Sequence, residues 1–259
     1  MKPSIQFDPA FIEESVFLFL KNKDKDTVLA RRFHSEREKI YEQALYRSAA
    51  PVPGDAPGTG QAPPPVDREK AFQDFYKDFF EKLELNKIFE DACREFPSLI
   101  GPRILIFIKK VWTKKEETSE LYTRGGTKTV WLTLQALRIL DCSFLERFLR
   151  FELQHISDML DPQFQYSPYV DLNGKNGIED NLIRDRFRFL WDFYVDVRLE
   201  QKGHQIFKPL EQWREELREA FYFMGHEKTE KILREITNNG RLTQGELLEF
   251  ISSEKPVHV

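Results

Sequence analysis

Between residues 68 and 96, Phe72, Phe75, Tyr76, Phe79, Phe80 and Leu83 recur at three- and four-residue steps, which predicts an amphipathic helix with an aromatic buried face. The pattern then changes. "RILIFIKKVW" at 103–112 and "TKTVWLTLQAL" at 127–137 are β-branched and aromatic runs of strand length, so a small sheet is expected there. Gly125-Gly126 is read as a turn entering the second strand. From Ser143 onward the helical period returns, over roughly 144–160, 179–201, 208–223, 227–237 and 243–252. Ser143 with Glu146, and Thr243 with Glu246, have capping-box spacing at two of those starts. Upstream, residues 9–21 and 25–47 also have helical character. The pattern defines an α+β chain, mainly helical with a small β-sheet.

Residues 49–67, "AAPVPGDAPGTGQAPPPVD", are rich in Pro, Gly and Ala and cannot form a helix or an interior strand, because proline lacks a backbone donor. The expected organisation is an N-terminal helical arm over 1–48, a linker over 49–67 and one domain over 68–259.

Composition narrows the function classes. With 41% hydrophobic residues and 14% aromatics in 259 residues, the chain can build a real core. A net charge of -4 gives no overall basic field, so nucleic acid is not an expected partner. Cys93 and Cys142 lie far apart with no C-x-x-C spacing, which excludes a disulfide framework or thiolate zinc site and fits a reducing, cytoplasmic compartment. The apolar run Val16–Leu20 is too short for a signal segment, and nothing approaches the roughly 18 to 20 apolar residues of a membrane span, so no membrane association is expected. Phosphate-loop, dinucleotide and nucleophile-elbow motifs do not occur. His34, His204, His226 and His258 are scattered in polar surroundings, as surface histidines are.

One segment carries candidate chemistry. On the helix of "RFLRFELQHISDMLDP", residues 147–162, the apolar stripe is expected to contain Phe144, Leu145, Phe148, Leu149, Ile156, Met159 and Leu160, with Glu152 in its middle. A carboxylate buried there without a partner costs several kcal/mol, so it requires a cation, strong donors or a raised pKa. The ordinary reading pairs Glu152 with a buried arginine or lysine and makes His155 a hydrogen-bonded core residue. On the later helix, Ile183, Phe187, Leu190, Trp191, Tyr194 and Val197 form the expected apolar face, with Asp185, Arg188, Asp192 and Asp196 opposite. Arg188 precedes Asp192 by one turn, so an exposed ion pair is expected between them. Asp196 can reach a site only if Phe189 and Leu199 also pack inward.

The strand "TKTVWLTL", the helix with "FELQHISDMLDP" and the helix with "DRFRFLWDFYVDVRLEQKG" together resemble the core of a zincin metallopeptidase. They are similar in particular to an uncharacterised bacterial zincin-like group that has an intact H-E-L-x-H followed by x-x-D-M-L-D-P. The resemblance spans roughly residues 68–205. In zincins two histidines one turn apart bind Zn²⁺ and the intervening glutamate is the general base. Carried over, the resemblance implies Glu152 as base and His155 as a metal ligand, with Phe151 standing at the lost ligand position. Asp158, Asp161, Asp192 and Asp196 are alternatives for a further ligand.

The leading expectation is therefore a zincin-like protein with a degenerate metal site, acting as a binding or scaffold protein for a protein or peptide partner. It would hold no cofactor. The alternatives are an active metal-dependent hydrolase using zinc or another divalent ion with an altered ligand set, and a helical interaction module unrelated to peptidases.

Overall fold

A computed structural model describes residues 2–23, 27–48, 67–169 and 177–252. Strands β1 (Ile5–Phe7), β2 (Ile104–Lys110), β3 (Thr118–Arg124) and β4 (Thr127–Leu134) form one mixed sheet in the order β1-β2-β4-β3. The first three in that order are parallel, with Ile5 opposite Ile106 and Ile106 opposite Val130. Edge strand β3 is antiparallel to β4, with Arg124 opposite Thr127. Between them Gly125 and Gly126 both have positive φ, 57° and 78°, the backbone that a two-residue hairpin turn requires. The expected turn is present, but it joins β4 to a strand that the polar run "TSELYTR" does not announce.

Helices α1 (Pro9–Lys23), α2 (Val28–Ser48), α3 (Arg68–Lys82), α4 (Lys87–Arg94) and α5 (Cys142–Leu160) precede α6 (Gly177–Gln201), α7 (Leu210–Ala220), α8 (His226–Asn238) and α9 (Gln244–Ser252). The aromatic segment is two helices rather than one. Asp67 opens α3 by accepting from the N–H groups of Glu69 and Lys70, and a turn containing Glu84 at φ 58° separates it from α4. The N-cap of α5 is also displaced from its expected place: Asp141, not Ser143, accepts from the Phe144 N–H at 2.9 Å. At the other end of the chain the expected box is present, Thr243 and Glu246 each bonding the other's backbone N–H.

Two apolar cores flank α5. The first joins the inner face of the sheet, including Ile106, Ile108, Val130 and Leu132, to residues of α1 to α5. Residues 1–48, read from sequence as an arm, contribute to this core through Phe11, Val16 and Phe33, and β1 pairs with β2. The second core contains Phe164 and residues of α6 to α9, among them Leu190, Trp213, Leu217, Ile236 and Leu247. Apart from Asp67, the expected linker lies outside the described residues. Among the described residues no helix is long and apolar enough to cross a membrane.

Candidate functional site

The site lies where α5 passes under β3 and against α6. In β3 the inward residues alternate, so Ser119 shares the face of Leu132, its partner on β4, and points toward α5. Its hydroxyl donates to Glu152 Oε2 at 2.6 Å. Three residues along α5, His155 has its Nδ1 at 3.0 Å from the Phe151 carbonyl oxygen and its Nε2 at 3.1 Å from Asp192 Oδ1 on α6. The imidazole is clasped by rings, with Phe151 and Trp191 each centred 4.8 Å from it. Thr118, Ser119, Phe151, Glu152, His155, Met159, Arg188, Trp191 and Asp192 line a single pocket of about 240 Å³.

Burial sets the electrostatics. It pushes the Glu152 carboxyl above its ordinary range, against the opposing effects of the His155 charge and the Ser119 hydrogen bond. For His155 burial acts downward, but the hydrogen bond and charge of Asp192, with the charge of Glu152, leave the imidazole pKa raised on balance. Geometry gives the same answer. Both ring nitrogens face acceptors, a carbonyl and a carboxylate, and only the imidazolium has an N–H for each. A proton on Nε2 occupies the lone pair that a metal would need.

The sequence-derived candidates separate into those at the pocket and those elsewhere. Phe151, Glu152, His155 and Asp192 meet there. Asp158 does not: it is buried between the cores, where its carboxylate accepts from Gln154 Nε2 at 3.0 Å, Trp191 Nε1 at 2.8 Å and both terminal nitrogens of Arg198. This is a structural ion pair with its acceptor sites filled. Asp161 is exposed at the end of α5 and accepts from the Gln163 N–H at 2.9 Å. Asp196 is buried on the far side, accepting from Trp213 Nε1 at 2.8 Å, while its other oxygen has no hydrogen-bond partner among the described residues. Burial lifts the Asp196 pKa to about 6, against the hydrogen bond from Trp213.

Four expectations need correction. Among the described residues Glu152 does not pair with an arginine or lysine; a serine hydroxyl serves it instead. Nor does it centre the buried stripe, because Leu153, outside the expected stripe, is fully buried in the first core while Glu152 faces the pocket. Asp192 is held by His155, and among the described residues it makes no ion pair with Arg188. The one-sided reading of α6 also fails. Leu199 is buried and Phe189 packs on Trp213 at 5.1 Å, so the helix is covered on two sides and Asp196 is directed into the second core.

His155 and Asp192 offer one atom each, and Phe151 supplies a ring with no donor. Among the described residues no group of three or more His, Cys, Asp or Glu is arranged to hold a metal ion. Sequence reasoning missed Ser119 and Arg188 as pocket residues. The alternation of Ser119 and Leu121 before a Gly-Gly turn was the available clue to the first; nothing local marks the second. Compared with family models, curated proteins and solved structures, the chain matches none of them.

Proposed function

We propose that this chain is a zincin-like, metallopeptidase-related protein whose metal position is taken over by Phe151 and a His155–Asp192 ion pair, and that it holds an extended protein segment without cleaving it. The observation carrying this reading is the convergence of Phe151, Glu152, His155 and a carboxylate from the next helix, Asp192, on one pocket. Two ligand atoms on a tetrahedral zinc at about 2.0–2.1 Å stand about 3.3–3.4 Å apart. The 3.1 Å between His155 Nε2 and Asp192 Oδ1 is close to that spacing. Beside the pocket, β3 is an edge strand of the sheet among the described residues, and an edge strand is the usual means of holding an extended peptide.

The test is Phe151→His. The added imidazole stands one turn before His155 and completes a His-His-Asp set, so the purified variant should retain about one zinc per chain after dialysis, read by elemental analysis. The parent protein, treated identically, should retain none. A folded Phe151→His protein that takes up no zinc would overturn the reading. Stoichiometric metal in the parent protein would favour an active hydrolase with altered ligands.

A further inference from the structure

Arg188 lies one turn before Asp192 on α6, where an ion pair between them is expected. His155 has taken that carboxylate, at 3.1 Å. Among the described residues Arg188 makes no ion pair, and it stands exposed on the pocket wall with Phe151, Met159 and Trp191.

The charges around it are committed elsewhere. Asp192 faces the imidazole, and Glu152 accepts from Ser119. Among the described residues the Arg188 guanidinium is thus the pocket charge without a counter-ion. A pocket of about 240 Å³ has room for one side chain, with Phe151, Met159 and Trp191 as apolar walls and the Thr118 and Ser119 side chains near its polar end. A lysine or arginine entering there would meet a like charge, while the Asp192 and Glu152 carboxylates are already engaged by His155 and Ser119. A carboxylate would meet a planar guanidinium, which can bind both its oxygens at once.

We infer that Arg188 sets the specificity of this cleft by binding a carboxylate of the held segment, supplied by an Asp or Glu side chain or by a C-terminus. The inference rests on the proposed peptide-holding role and deepens it. The residue contacts ligand and takes no part in bond breaking.

The test uses the full chain and fluorescein-labelled octapeptide pools, each with a central residue fixed as Glu, Gln or Lys and with a free or amidated C-terminus. Fluorescence anisotropy gives the affinities. If a side chain is read, amidated Glu pools should bind about tenfold or more tighter than amidated Gln pools. If a C-terminus is read, free-acid pools should exceed amidated ones by a similar factor whatever the central residue. Arg188→Gln should abolish whichever preference is seen, and Arg188→Lys should keep part of it. Because the side chain is exposed, neither variant should lower the melting temperature. Equal binding of all pools, or a preference that survives in Arg188→Gln, overturns the role of Arg188 and leaves the cleft reading standing. If the parent protein binds none of the pools, the cleft reading fails and this inference with it.

Discussion

Replacing Asp196 by Asn should make the protein progressively more stable relative to the parent as pH rises from 4 to 7. Asp196 is 1% exposed, one oxygen accepts from Trp213 Nε1, and the other has no partner among the described residues. Its pKa rises from an ordinary 3.8 to about 6 on folding. The native state therefore holds this proton more tightly than the unfolded chain. Below the unfolded value both states are protonated and nothing is lost. As pH rises through the window, the unfolded chain ionises first and stability falls, levelling off once the native carboxyl has also ionised. A shift of about two units corresponds to about 3 kcal/mol, the cost of keeping the charged form inside. Asparagine keeps an oxygen for Trp213 and carries no charge. Its constant offset from protonated aspartate cancels when the comparison is made across pH. Urea unfolding of both proteins at pH 4.5, 5.5, 6.5 and 7.5 should show the difference moving in favour of Asn by about 2–3 kcal/mol. A difference that stays flat over this range would refute the account of Asp196 as a carboxyl kept neutral by burial.

Two further outcomes concern stability away from the pocket. Arg198→Met removes two of the donors to Asp158 and leaves a buried carboxylate without its cation, so urea unfolding at pH 7 should show a loss of about 3–5 kcal/mol. A loss below about 1 kcal/mol would show that Trp191 and Gln154 satisfy Asp158 unaided. Thr243→Ala breaks the reciprocal bonds with Glu246 at the start of α9 and should cost about 1 kcal/mol, a drop of about 2–4 °C in melting temperature by calorimetry.

What could be read from sequence divides by whether the deciding contact is local. The three-residue steps of Phe72 to Leu83 and the box of Thr243 and Glu246 act within one or two turns, and they place their helices well. The strands β2 and β4 are apolar and β-branched and were equally plain. β1 was not, since three residues carry no usable period, and β3 is polar because all its side chains are exposed or half-buried. Helix α6 was misread because its ideal wheel has one apolar face, whereas the second core also surrounds residues on the other side. At the site, residues on one helix were legible, since Glu152 and His155 are three apart. The partners were not: Ser119 and Asp192 come from other elements, and the choice of His155 over Arg188 as partner for Asp192 is made by packing between α5 and α6. Position along one helix cannot express that choice.

The pairing of Ile5 with Ile106 has a consequence for the order in which the protein can fold. About a hundred residues separate the two strands, and β4, which completes the central ladder, ends at Leu134. At about 5–20 residues per second, β1 and α1 wait on the order of 5–20 s during synthesis before the strand they dock against exists. Phe11 and Val16, fully covered in the finished protein, lack the sheet side of their core throughout that interval. The second core has no such delay, because α6 to α9 follow one another with short connections and pack as neighbours. The helical end can assemble as it is made, while the N-terminal segment completes its packing only after β2 arrives.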